Sequence, residues 1–133
     1  MIRAPGAPRA LGAIGAALAG AAVALGAFGA HALDDVLSTS RLGTFETAVR
    51  YQFLHALALL VLHHARLGGT IEDAAAARVG WTLLAGTALF SGALYALVAT
   101  DVGAFGAIAP VGGGLLLLGW VQWAWSARPR RPG

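Results

Sequence analysis

Five ionisable or amide side chains fall within ten residues of a largely apolar stretch: Glu46, Arg50, Tyr51, Gln52 and His55. Glu46 and Arg50 are four residues apart with the acid first, the favourable order for an ion pair on one face of a helix. Ionisable side chains inside a membrane often mark ion or proton pathways. This segment is therefore the first candidate for a functional site.

Three other residues extend this candidate polar cluster: His31 before it, and Ser91 and Tyr95 after it. Hydrogen bonds between such side chains on neighbouring membrane helices contribute about 0.6 to 2 kcal/mol each. A network that fixes the order of the helices is the simpler interpretation, and we favour it over a ligand or proton site.

The sequence does not support catalysis by these groups. Ser91, His55 and Glu46 supply the residue types of a hydrolase triad, but the serine lies in Leu89-Phe-Ser-Gly-Ala, which is not a G-x-S-x-G nucleophile elbow. The glycine-rich stretches follow no predicted strand and match no phosphate-binding loop. We therefore predict no enzyme activity.

Metal and haem sites are also disfavoured. The chain has no cysteine, which excludes thiolate ligands and disulfides. His31 and His55 are expected at depths that differ by about 10 Å, and the adjacent His63 and His64 point about 100° apart on a helix. We predict no cofactor and no metal.

Long apolar stretches must position the polar residues. Hydrophobic residues make up 58% of the chain and charged residues 11%, and the mean hydropathy is +0.72, unlike a soluble domain. A helix needs roughly 20 apolar residues to cross a hydrocarbon core of about 30 Å. The sequence predicts an all-α integral membrane protein, a single domain over residues 1–133 that forms an antiparallel bundle of four transmembrane helices. The predicted spans are about 10–33, 44–67, 79–100 and 104–126.

The second predicted span is the least regular. Only 15 residues between Arg50 and Arg66 are uncharged, so a full span must start near Thr44 and draws Glu46 and Arg50 into the membrane boundary. On these bounds His55 lies in the half of the bundle that contains the 33–44 connection. Pro110, with Gly112 and Gly113, predicts a bend near the start of the fourth span.

Small residues predict helix contacts. The first span has two stripes at spacing four, one of Gly12, Ala16, Gly20 and Ala24 and the other of Ala22, Gly26 and Ala30, and the third span has Ala88, Gly92 and Ala96. Small residues let helix backbones approach closely in a membrane. Most of this packing is expected within one chain, with a homo-oligomer or a larger membrane complex as the alternative.

The distribution of arginine predicts the orientation. All nine basic residues are arginines; seven flank the side of the termini, and only Arg41 and Arg50 flank the other side. The positive-inside rule then places both termini in the cytoplasm and the polar cluster in the extracytoplasmic half. Trp120, Trp123 and Trp125 are expected to form an aromatic belt at the inner interface. Basic residues at span ends do not indicate a nucleic-acid partner.

One alternative concerns the first span. Arg3 and Arg9, the apolar run and Ala30-His31-Ala32 are also typical of a cleaved signal peptide. The run is longer than a usual signal-peptide core of about 7 to 15 residues, so we favour a retained span.

Four motifs in order resemble the domain-of-unknown-function 423 family, small bacterial inner-membrane proteins related to eukaryotic transmembrane protein 256. They are Gly26-Ala-Phe-Gly-Ala-His-Ala-Leu33, Thr47-Ala-Val-Arg-Tyr-Gln-Phe-Leu-His-Ala-Leu-Ala-Leu-Leu60, Leu89-Phe-Ser-Gly-Ala-Leu-Tyr95, and Ile108-Ala-Pro-Val-Gly-Gly113 with Gly119-Trp120. The resemblance implies a four-helix protein of the bacterial inner membrane without established activity. We expect a structural or accessory protein in contact with the lipid bilayer; a small proton or solute transporter or channel subunit, acting as an oligomer, is the alternative.

Overall fold

The computed structural model describes residues 7–127, which form four long helices and contain no strand. The first helix, α1 (Ala7–Phe28), continues directly as a π-helical segment (Gly29–Leu33). It is followed by α2 (Thr39–Leu67), α3 (Asp73–Thr100) and α4 (Ala104–Ser126). Four helices in this region are long and apolar enough to cross a membrane, so the all-α membrane fold predicted from the sequence is confirmed.

The helices begin before the predicted spans at three points. α1 begins at Ala7 rather than at 10, α2 at Thr39 rather than near Thr44, and α3 at Asp73 rather than at 79. Ser38 caps the early start of α2, because its side chain accepts a hydrogen bond of 3.3 Å from the backbone N–H of Arg41. Because α2 starts early, every residue on it lies further from the beginning of its helix than the predicted span indicated.

Successive helices pack side by side, α1 on α2, α2 on α3 and α3 on α4, and α1 also touches α3. We call the end with the 34–38 and 101–103 connections the loop end, and the opposite end, with the 68–72 connection, the terminal end. The apolar core lies towards the terminal end and includes Leu11, Leu59, Leu62, Leu83 and Leu116. Polar contacts therefore hold the part of the bundle that this core does not fill.

Glycine lets α3 and α4 approach closely. A Cβ atom on Gly112 would lie 2.7 Å from Phe90 Cα and 2.8 Å from Leu89 C, both backbone atoms of α3. Next to it, a Cβ on Gly113 would meet only the Phe90 ring, at 3.8 Å, and one on Gly114 would meet nothing within 4 Å. Of these three adjacent glycines, Gly112 is the one at the helix crossing.

The predicted small-residue stripes are not continuous interfaces. Gly12 and Gly15 do face α2, but a Cβ on Gly20 or Gly92 would meet nothing within 4 Å. A spacing of exactly four drifts by about 40° per step around a helix of 3.6 residues per turn, so such a stripe leaves the contact face. The buried positions of α1 include Leu11, Gly12, Gly15 and Ala22, so each predicted stripe of this helix contributes one residue to the buried face.

Helix α4 runs unbroken through Pro110. Proline has no N–H to donate within the helix and its ring crowds the preceding turn. The bend predicted at this position stays a prediction.

Candidate functional site

Side-chain hydrogen bonds connect α2 to each of the other three helices. We call this set the α2 polar ladder; its side chains are those of Gln52, His55, Ser91, Tyr95 and Trp120. All but Trp120 were predicted from the sequence. The ladder starts near the middle of the loop-end half and continues past the midpoint of the bundle.

The first rung joins α3 to α2. Ser91 is buried, and its Oγ donates a hydrogen bond of 2.7 Å to the carbonyl oxygen of Ala48. Ser91 lies nine residues before the end of α3 at Thr100, and Ala48 lies nine residues after the start of α2 at Thr39. The two antiparallel helices are thus in register at this depth.

The second rung joins three helices through one amide. The Tyr95 hydroxyl of α3 donates to Gln52 Oε1 at 2.7 Å, and Gln52 Nε2 donates to the carbonyl oxygen of Leu18 in α1 at 2.9 Å. Long side chains lean towards the start of their own helix, so those of Tyr95 and Gln52 approach each other from opposite directions. Both the oxygen and the nitrogen of this buried amide therefore form hydrogen bonds inside the bundle.

The third rung joins α4 to α2. Trp120 Nε1 donates to His55 Nε2 at 3.1 Å, and His55 Nδ1 lies 2.7 Å from the carbonyl oxygen of Tyr51. An indole N–H is only a donor, so Nε2 must accept, and Nδ1 then carries the proton and donates to Tyr51 O. This geometry requires the neutral Nδ1–H tautomer of His55.

His55 lies further from the loop end of α2 than the predicted span placed it. His55 lies 16 residues after Thr39 and 12 before Leu67, hence about 24 Å from the loop end of α2 and about 18 Å from its terminal end. Trp120 is likewise 16 residues from the start of α4 at Ala104. The polar cluster is therefore not confined to one half of the bundle, because α2 starts earlier than the apolar pattern indicated.

Trp120 was assigned to an aromatic belt instead of to the ladder. Its side chain is 45% exposed and stacks on Trp123 with ring centroids 5.5 Å apart, as an interfacial residue can. Its indole N–H nevertheless bonds to His55. A tryptophan that packs against a helix bundle usually needs a hydrogen-bond acceptor for its indole N–H, and this requirement could have linked Trp120 to a polar residue of α2.

Three predicted residues of α2 lie outside the ladder. The side chains of Glu46 and Arg50 are exposed, and neither forms an ion pair within the described residues, so the predicted Glu46–Arg50 pair is not formed. The spacing places them on one face of the helix but does not make the side chains turn towards each other. The ring of Tyr51 is half-exposed and packs on Phe90, with centroids 4.5 Å apart.

His31 is exposed in the π-helical segment after α1. Gly29, in the same segment, is buried, and a Cβ there would lie 2.7 Å from the Phe45 ring of α2. The segment thus packs on α2 through Gly29, while His31 lies apart from the ladder.

An apolar groove of about 310 Å³ lies between α1 and α2 in the loop-end half of the bundle. We call it the α1–α2 groove. Glu46 and Arg50 are its charged lining residues. Apolar side chains and small residues form the rest of its wall, namely Ala22, Val23, Gly26, Gly29, Ala30, Phe45, Val49 and Phe53.

Arg41 forms a clamp at the loop end that was not predicted, because the sequence indicated only its contribution to the orientation of the chain in the membrane. Arg41 Nη2 donates to the carbonyl oxygen of Val98 at 2.6 Å and lies 3.7 Å from Asp101 Oδ1. Val98 is in the last turn of α3, where the partial negative charge of the helix end favours a cation. Asp101 ends α3 in the left-handed conformation, with φ 57°. The clamp fixes the start of α2 against the end of α3.

The buried polar side chains of the described region are Gln52, His55, Thr87 and Ser91. Thr87 bonds to the carbonyl oxygen of Leu83 in its own helix at 2.8 Å, and the other three belong to the ladder. This arrangement can hold four helices in a fixed order where water is absent, because each buried donor or acceptor would cost free energy if unpaired.

Comparison with known proteins identifies similar chains over most of the sequence. A UPF0382 membrane protein of Staphylococcus aureus (strain bovine RF122 / ET3-1) is 41% identical over 115 residues, which cover 84% of this chain and 87% of the relative. A UPF0382 membrane protein of Staphylococcus epidermidis (strain ATCC 12228 / FDA PCI 1200) is 43% identical over 114 residues, 84% of this chain and 86% of that protein. The UPF0382 membrane protein YwdK of Bacillus subtilis (strain 168) is 41% identical over 113 residues, 84% and 88% respectively.

No solved structure matches the chain. The profile of the family described as "Protein of unknown function (DUF423)" matches residues 25–113, which include the ladder residues of α2 and α3, Gly112 and the α2 wall of the groove. The family resemblance seen in the sequence motifs is therefore confirmed: this multi-pass membrane protein belongs to the DUF423 family.

Proposed function

We propose that this protein is a non-catalytic structural or accessory protein of the bacterial inner membrane. One observation supports the proposal above the others: the buried polar side chains Gln52, His55, Thr87 and Ser91 are all hydrogen-bonded inside the bundle. Groups used in this way stabilise a fold. A solute pathway needs groups that exchange their partners during transport.

The ladder explains why a structural protein keeps polar groups in its interior. Lipid tails provide no hydrophobic drive that would bring apolar helices together, so packing and interhelical hydrogen bonds must do so. The ladder specifies which helices are neighbours, and the outer faces then remain for lipid or for a larger membrane complex. On this proposal the protein acts through what binds to its outer surface.

A flux assay separates this proposal from a transporter or channel. We expect proteoliposomes with the purified protein to show proton and solute fluxes no higher than protein-free vesicles, and His55→Ala to leave the flux unchanged. A flux in the wild-type protein that His55→Ala abolishes, in a variant that still elutes as a folded species, would support the transporter and overturn the proposal.

Copurification tests the accessory role directly. In mild detergent we expect a stoichiometric lipid or partner protein to copurify with this protein. A lone monomer that is indifferent to lipid would count against the proposal.

We further propose that the terminal end faces the cytoplasm. Seven of the nine arginines precede the first span, follow the fourth or lie near the connection of α2 to α3 in the sequence, as the positive-inside rule requires for a cytoplasmic side; four of them, Arg3, Arg128, Arg130 and Arg131, lie outside the described residues. The chain has no cysteine, so single cysteines report position without a background. We expect Val36→Cys, in the loop-end connection, to react with a membrane-impermeant maleimide in intact spheroplasts. Leu67→Cys, at the terminal end, should react only after the membrane is opened; the opposite pattern would reverse the orientation.

A further inference from the structure

The α1–α2 groove holds two opposite charges that the rest of the described chain leaves unused. Glu46 and Arg50 line it, both side chains are exposed, and neither takes part in an ion pair or hydrogen bond within residues 7–127. They lie seven and eleven residues after the start of α2, or about 10 and 16 Å along the helix. Charged groups at such depths are costly in lipid and are normally paired. Their presence indicates a ligand that supplies both opposite charges.

The order of the groups along the groove defines this ligand. Glu46 comes first from the loop end, Arg50 follows four residues or about 6 Å further along the axis of α2, and Phe53 lines the wall deeper still. A complementary molecule has a cation outermost, then an anion, then an apolar tail. A zwitterionic phospholipid in the loop-end leaflet has its ammonium, phosphate and acyl chains in this order.

We propose that the α1–α2 groove is a binding site for phosphatidylethanolamine, a ligand assignment that goes beyond the proposed structural function. The Glu46 carboxylate accepts hydrogen bonds from the primary ammonium, and the Arg50 guanidinium donates to the phosphate, both as charge-assisted bonds. One acyl chain lies along the groove against Val23, Val49 and Phe53. The groove volume of about 310 Å³ is at the lower end of the range of about 300 to 1,000 Å³ for small-molecule sites.

The proposal assigns a different selectivity to each charge. Every phospholipid carries a phosphate, so Arg50 contributes to the affinity for all of them. Only phosphatidylethanolamine brings an ammonium with N–H donors, because the quaternary ammonium of phosphatidylcholine has none and phosphatidylglycerol has no cation. Glu46 therefore sets the preference among lipids.

The test is native mass spectrometry of the full chain released from vesicles that contain equal amounts of phosphatidylethanolamine, phosphatidylcholine and phosphatidylglycerol. We expect the wild-type protein to retain one lipid, with phosphatidylethanolamine at least about threefold over each of the others. Glu46→Gln should lower the ratio of phosphatidylethanolamine to phosphatidylcholine by about threefold or more, and Arg50→Gln should lower the retention of all three lipids together. Arg78→Gln, which removes another arginine near the terminal end of α3, should change neither quantity.

A second variant tests the groove without changing charge. A Cβ on Gly26 would lie 3.5 Å from Val49 Cγ1, an ordinary contact, so Gly26→Leu should fold and fill the groove. We expect it to lose the retained lipid while keeping the elution volume of the wild type. Wild-type retention that follows the vesicle composition would overturn the proposal. So would a homodimer that the charge variants dissociate, since Glu46 and Arg50 would then pair across two copies.

Discussion

Replacement of Gly112 by alanine is expected to destabilise the bundle by about 3 kcal/mol, whereas the same replacement at Gly114 should change the stability by no more than about 1 kcal/mol. The Cβ atom added at position 112 would lie 2.7 Å from Phe90 Cα and 2.8 Å from Leu89 C. These are backbone atoms inside a helix and cannot move aside as a flexible side chain does. α4 must therefore separate from α3 and lose packing along the whole crossing.

The adjacent glycines provide the matched controls for this experiment. At Gly114 the added methyl group has open space, and at Gly113 it makes an ordinary contact of 3.8 Å with the Phe90 ring. Unfolding of the purified variants by titration with a denaturing detergent gives the three free energies in the same mixed micelles. Equal stabilities of Gly112→Ala and Gly114→Ala would show that the helix crossing does not depend on this glycine.

Replacement of Gln52 by leucine is expected to cost about 2 to 3 kcal/mol, the largest effect of any single change in the ladder. The variant loses the bonds from Tyr95 and to Leu18 O, and it leaves a partly buried phenol and a carbonyl oxygen without these partners. Leucine retains most of the volume of glutamine, so the lost hydrogen bonds rather than a cavity would dominate the result.

Tyr95→Phe provides the second arm of a double-mutant cycle. Alone it should cost about 1 kcal/mol, and in the Gln52→Leu background it should cost little, because the phenol has already lost its acceptor. The same detergent titration measures all four proteins. Additive costs would contradict direct coupling between the two side chains, and a stable Gln52→Leu variant would show that the ladder is dispensable for the fold.

The sequence predicted the helices better than their contacts. The lengths of the apolar runs were enough for α4, because its limits coincide with a change from apolar to polar residues. They failed at the start of α2, because three polar residues, Thr39, Ser40 and Arg41, begin the helix there, held by the Ser38 cap and the Arg41 clamp. A hydropathy pattern does not reveal a helix cap or an arginine that bonds to a neighbouring helix.

The candidate site was predictable only in part, for a similar reason. Gln52, His55, Ser91 and Tyr95 stand out as polar residues in apolar runs, and the structure brings them together in the ladder. Trp120 does not stand out, because tryptophan is common where a helix leaves the membrane. Likewise, three consecutive glycines look alike in the sequence, and only the position of α3 distinguishes the one at the crossing.

The connection of α4 to α2 has a consequence for the synthesis of the chain. Translation produces α1, α2 and α3 first, so the rungs made by Ser91, Gln52 and Tyr95 have all their partners before α4 leaves the ribosome. His55 Nε2 has to wait for the donor that Trp120 brings, and the close-approach surface on α3 stays uncovered until Gly112 arrives. Until α4 is added, His55 Nε2 therefore lacks its donor and the backbone of α3 near Phe90 lacks the helix that packs on it, so the last helix completes both the polar and the close-packed contacts of the bundle.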